Sequence, residues 1–159
     1  MTHYLNFTLT LFLKNFKLTI LSLSRKLRQN LIYFKKMANL LIKRIYEPAE
    51  KTDGLRILVD RLWPRGITKE RAQLDQWMKE VAPSTLLRKQ FHQNPQNWPW
   101  FEHEYIAELK QQEAVKELAR LIQKQETVTL LYAAHNETQN HVLVLQHFLN
   151  TLQKSDHAR

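Results

Sequence analysis

Cysteine is absent from the 159-residue chain. Disulfides, thiolate metal sites and thiol nucleophiles are therefore excluded. Nothing calls for an oxidising compartment, and a reducing cytoplasm is the expected setting. Glycine is nearly as scarce, with Gly54 and Gly66 the only two. Neither a Walker loop nor a Rossmann dinucleotide fingerprint can be assembled from them, and no nucleophile-elbow motif is present. The spacing of His135 and His141 fits no standard zinc pattern. No metal and no cofactor are expected. Acidic residues are missing from positions 1–36, which hold seven Lys and Arg. That segment supplies +7 of the chain's formal charge of +9, leaving +2 for the remainder. A nearly balanced domain argues against whole-protein steering toward nucleic acid.

Residues 1–36 are rich in Leu and Phe. Leu5, Leu9, Phe12, Phe16, Ile20, Leu23 and Leu27 recur at three- and four-residue steps, which predicts one apolar helix face. Lys14 and Lys17 interrupt the run, so no transmembrane span is expected. The segment reads as a basic amphipathic leader outside the fold, with Met37 as the natural start. A membrane-surface helix and a partner-docking helix are the competing readings. The domain itself is expected over 37–152, with a polar tail over 153–159.

From Met37 onward, β-branched and apolar runs predict strands over 40–46, 56–62 and 127–133. Ile57-Leu58-Val59 is continuously apolar, as in a strand covered on both faces. Thr68 and Ser84 are placed to cap helices running to Ala72 and Phe91. Leu74, Trp77, Met78 and Val81 also follow at helical spacing. Trp98, Phe101, Tyr105 and Leu109 predict a helix face, which tolerates Pro99 only in its first turn. Val115, Leu118, Ala119 and Ile122 predict another, and Val142, Leu145, Leu149 and Leu152 the last. Strands alternating with helices give a single α/β domain with a small, largely parallel sheet flanked by helices.

Ligands of such sheets sit beyond the carboxyl ends of the strands. Two strand ends carry polar chemistry: Asp60 to Gly66, and Ala134 to His141. Arg61 and Arg65 can grip a phosphate or carboxylate through paired hydrogen bonds. Asp60 and His141 are the candidate acid–base residues. Trp63 and Asn140 are candidate ligand contacts, the former by stacking. The bland alternative has Asp60 paired with one Arg, Trp63 in the core and His141 half-buried as scaffold. Asn136 or Thr138 is expected to cap the last helix. The preferred function is a small enzyme or binding protein for an anionic, nucleotide-like small molecule. One alternative is a nucleic-acid-associated protein using Arg88, Lys89, His92 and the Trp98-Pro99-Trp100-Phe101 aromatics. Another is a non-catalytic interaction module.

Val59-Asp60-Arg61-Leu62-Trp63-Pro64-Arg65-Gly66 resembles the YeaO-like branch of the domain-of-unknown-function 488 family. The supporting stretches are Ala82-Pro83-Ser84-Thr85 with Leu87-Arg88-Lys89, Thr129 to Ala134, and Asn140-His141. The resemblance covers about residues 39–152. It implies a compact bacterial cytoplasmic protein with a Rossmann-like core, and it assigns no reaction. Longer relatives carry cysteines and a glutamate around the last strand, and a Cys-His-Arg triplet opening the last helix. Here Tyr132, Ala134, Asn140, His141 and Val142 occupy the matching places, so only the histidine is shared. Thiol chemistry cannot be carried over. Nor is a methyltransferase or a winged-helix regulator supported, for want of a glycine-rich methyl-donor loop and of the helix-turn-helix pattern.

Overall fold

The structure, a computed structural model, describes residues 38–155. The expected leader, and the tail beyond Ser155, lie outside the described residues. Four strands form one sheet: β1 (Asn39–Arg44), β2 (Leu55–Leu58), β3 (Gln76–Trp77) and β4 (Thr127–Tyr132). Their order is β1-β4-β2-β3 and all pairings are parallel. The helices are α1 (Lys69–Ala72), α2 (Thr85–Gln93), α3 (Trp98–Gln111), α4 (Glu113–Ile122) and α5 (His141–Ser155). This is the expected α/β architecture. No helix among the described residues is long and apolar enough to cross a membrane.

Strand alternation divides the interior in two. Leu40, Ile57, Val59, Val128, Leu130 and Tyr132 join one large core with apolar side chains from α2 to α5. Leu58 and Leu131 point the other way, into a smaller cluster with Ile45, Ile67 and Ala72. Both faces of β2 are thus covered, as its apolar run requires, and Ile57, Leu58 and Val59 are fully buried. Each such side chain contributes about 1.5–3 kcal/mol through removal from water. Among the described residues the second face takes apolar cover from α1 and loops, so that cover is thin.

Local signals explain most helix boundaries. The Thr68 side chain accepts from the Arg71 N–H, and that of Ser84 from the Leu87 N–H. Pro99 sits in the first turn of α3, where its missing N–H costs nothing. Two expectations need correction. The helical spacing over Leu74–Val81 is not a helix: Gln76 and Trp77 pair with Ile57 and Leu58 as a short edge strand. A 3-10 turn over Lys79–Val81 follows it. Backbone bonds from Asp75 N–H to Arg56 and from Met78 N–H to Leu58 hold the segment extended. In addition, Asn140 caps α5 by accepting from the Leu143 N–H. Asn136 instead turns the preceding loop, accepting from the N–H groups of Thr138 and Gln139. α5 also runs into the expected tail, with Gln153 buried.

Candidate functional site

β2 leaves the sheet at Leu58, and Asp60 lies just beyond its carboxyl end. One Asp60 oxygen lies 3.2 Å from His141 Nε2, and the other accepts the Ala133 N–H at 2.8 Å. The carboxylate therefore ties the exits of β2 and β4 to the first residue of α5. Both side chains are largely shielded, at 13% exposure for Asp60 and 15% for His141. His141 Nε2 also lies 3.2 Å from the Val59 carbonyl. Both neighbours of Nε2 can only accept, so Nε2 carries a proton. His141 Nδ1 has no hydrogen-bond partner among the described residues. As neutral imidazole it offers a lone pair there, and as imidazolium a second N–H donor.

Tyr105 from α3 flanks the histidine, with ring centroids 6.4 Å apart and planes at 61°. Its hydroxyl donates to the Val81 carbonyl at 2.6 Å. Burial, reinforced by the charge of Glu108, pushes the phenol well above its ordinary range, so it stays neutral. Tyr105 beside His141 had no sequence signal beyond its place in the α3 stripe. Trp77 was likewise hidden in an apparent helical stripe. Its indole N–H donates to the Asp60 carbonyl at 2.7 Å.

Arg61 and Arg65, alike in sequence, are placed differently. Arg61 donates through Nε to the Pro83 carbonyl at 3.2 Å and through Nη2 to that of Ala82 at 2.7 Å. It anchors the approach to α2. Arg65 is exposed, and its guanidinium has no partner among the described residues. Gly66 follows at φ +73°, completing the turn that the Trp63 indole N–H closes on the Ile67 carbonyl at 2.7 Å. Trp63 itself packs partly buried against the smaller cluster. Asn140 is buried at 4% exposure. Its amide NH2 donates to the Asn136 carbonyl and its oxygen holds the α5 cap.

The structure thus brings Asp60, His141, Trp63 and Trp77 into one contiguous set. Asn140 stands immediately before His141 with its amide engaged by backbone. His135 lies farther along the edge, 3.3 Å from Arg44 Nη2. Arginine can only donate, so this contact makes His135 Nδ1 the acceptor. The described residues contain no group of three His, Asp or Glu placed to hold a metal. Of the candidate nucleic-acid aromatics, Trp98 and Phe101 pack on each other and on Phe91, and Trp100 packs against the main core. Phe91, Trp98 and Phe101 lie within 4.5–5.9 Å centroid to centroid and pack with the main core.

Residues 39–159 match the family model described as the inactive DUF488-N3 subclade. The uncharacterised protein YeaO of Escherichia coli K12 is 52% identical over 114 residues, covering 72% of this chain and 99% of YeaO. The uncharacterised protein Rv3073c of Mycobacterium tuberculosis H37Rv is 38% identical over 109 residues, covering 69% of this chain and 92% of that protein. No solved structure matches the chain. Family match and relatives agree over the domain that carries Asp60 and His141, and the chain belongs to the DUF488 family as a YeaO-like protein.

Proposed function

We propose that this domain is a cytoplasmic binding protein that holds a small anionic molecule at the carboxyl ends of its strands. The observation that carries the reading is the imbalance of available charge there. Asp60 has both oxygens engaged, by His141 and by the Ala133 N–H. Arg65 has a guanidinium with no partner among the described residues. An anion arriving at this edge meets an available cation and a carboxylate whose two oxygens are already engaged. Binding is favoured over turnover because the chain lacks cysteine and its subclade is described as inactive. A small molecule is favoured over nucleic acid because the middle aromatics pack against one another.

One observation favours a catalytic variant of the same reading. Asp60 orients His141 with its proton on Nε2, which leaves Nδ1 free to take a proton from a bound hydroxyl. Thermal-shift measurements on the full chain with inorganic phosphate, ribose 5-phosphate and mononucleotides test the binding reading. A ligand at a hundredfold excess over Kd adds about 2.7 kcal/mol, a rise of roughly 10 °C for a domain of this size. The response should vanish in Arg65→Ala. A flat response to every anion would reject the reading. Turnover of a bound phosphoester that His141→Asn abolishes would select the catalytic variant.

A further inference from the structure

Four large apolar side chains are exposed among the described residues, and two of them stand beside Asp60: Leu62 at 66% and Trp77 at 39%. Leu62 follows Asp60 and Arg61 out of β2. Trp77 reaches back from the edge strand β3 to the Asp60 carbonyl. Trp63, from the turn beyond β2, meets Trp77 edge to face, with centroids 5.4 Å apart and planes at 74°. The polar atom of each indole is already committed. Trp77 N–H donates to Asp60 and Trp63 N–H to Ile67, each at 2.7 Å to a backbone carbonyl. Two backbone bonds and the mutual contact therefore fix the rings in orientation. What Trp77 offers to water is apolar ring surface that cannot hydrogen-bond. A rigid, partly exposed indole of this kind is a stacking platform for another planar ring. Arg65 belongs to the turn that Trp63 closes, so a cation stands in the same loop as the ledge.

We infer that the anion bound at this edge is heteroaromatic, a mononucleotide in chemical class. Its ring stacks on Trp77, which Trp63 braces edge to face, its phosphate meets Arg65, and a sugar hydroxyl faces His141 Nδ1. This rests on the anion-binding reading above and goes beyond it by specifying the ring. Trp77 is the specificity-determining residue, and no sequence motif marks it. Because stacking tolerates every base, the site discriminates ring from no ring more strongly than one base from another.

The test is isothermal titration of the full chain, and of Trp77→Ala, Trp77→Phe and Arg65→Ala, with AMP, UMP, adenosine and ribose 5-phosphate. Circular dichroism checks that each variant is folded. Both nucleotides should bind about tenfold or more tighter than ribose 5-phosphate, the size expected for one stacked base. Trp77→Ala should remove that advantage and leave ribose 5-phosphate unchanged, while Trp77→Phe keeps most of it. Ribose 5-phosphate binding as tightly as AMP would overturn the ledge and leave the anion reading standing. So would Trp77→Ala weakening both ligands equally. Adenosine binding as tightly as AMP, with Arg65→Ala silent, would overturn the phosphate half of the inference. No binding of any of the four would overturn both.

Discussion

Asp53 and Asp60 are two shielded carboxylates flanking the same strand, and they are built to opposite ends. Asp53 precedes β2 on the thinly covered face. One oxygen accepts from Lys43 at 3.0 Å. The other accepts the Glu50 N–H at 3.0 Å and pairs with Arg56 Nη1. Arg56 completes its fork on the carbonyls of Gln73 and Ala72. The Asp53 carbonyl itself accepts the Thr129 hydroxyl. Every strong group in this network faces another group of the protein. Asp60 is as well held, but His141 beside it keeps Nδ1 uncommitted, and Arg65 in the turn that follows keeps its guanidinium uncommitted among the described residues. A closed network stabilises the fold, whereas one with open groups has something left to offer a ligand. That difference, more than burial alone, separates the brace from the candidate site.

The largest effect should come from opening the closed network. Asp53→Ala leaves Arg56 buried without its counter-charge, a change that costs about 3–5 kcal/mol in such pairs. Urea unfolding should show it as a lower midpoint, with no change in ligand response per folded molecule. If Asp60→Ala destabilised the chain more than Asp53→Ala, the contrast between the two carboxylates would collapse.

The pH dependence sharpens the same point. Burial pushes the Asp53 carboxyl up. The Glu50 N–H, the Lys43 hydrogen bond and the charges of Arg56 and Lys43 outweigh it and hold the group below its ordinary 3.8. A depressed carboxyl adds stability that is complete above its unfolded value and is lost as pH falls through the folded one. The stability gap between the chain and Asp53→Asn should therefore be level above 3.8 and close in more acidic solution. Urea midpoints measured from pH 7 down to the acid transition check this. A gap that widened toward acid would contradict the network's assignment.

Glycine extends the comparison from side chains to backbone. Gly54, next to Asp53, has φ +61°, and an added Cβ would stand 2.3 Å from the Thr127 carbonyl oxygen. Gly66, in the Arg65 turn, has φ +73° with nothing within 4 Å. Gly54→Ala should cost about 2–3 kcal/mol through strain and backbone displacement. Gly66→Ala should cost about 1–2 kcal/mol, the left-handed penalty alone. Equal losses in thermal unfolding would mean that close packing does not distinguish the brace from the open turn.

How far this organisation can be read from sequence depends on how local each cause is. β1, β2 and β4 announce themselves because β-branched runs end in turn residues, and α3 because Trp98, Phe101, Tyr105 and Leu109 share a stripe. β3 is invisible to periodicity. Two residues have no period, and Gln76-Trp77 is extended only because β2 lies alongside. The Asp60–His141 contact joins the exit of β2 to the start of α5, so each residue stands out singly while their pairing does not. Arg61 and Arg65 look equivalent in sequence. They diverge because Ala82 and Pro83 return beside one of them, which is a property of the chain path and not of either motif. Asn140 was conspicuous, but its role in starting α5 depends on where the helix begins.

Two further stability effects, the second the smallest of all, test the open side directly. Asp60→Ala frees the Ala133 N–H and removes the acceptor opposite His141, a loss of about 1–3 kcal/mol. Arg65→Ala removes an exposed side chain with no partner among the described residues. Its effect on urea midpoint should stay within about 0.5 kcal/mol. Yet phosphate and mononucleotides should no longer raise the melting temperature. A near-silent change in stability with a complete loss of ligand response is what a group reserved for binding produces. A brace produces the reverse, as Asp53→Ala should. Were Arg65→Ala to destabilise the chain by several kcal/mol, the guanidinium would belong with Arg56, and the division between closed and open networks would have to be redrawn.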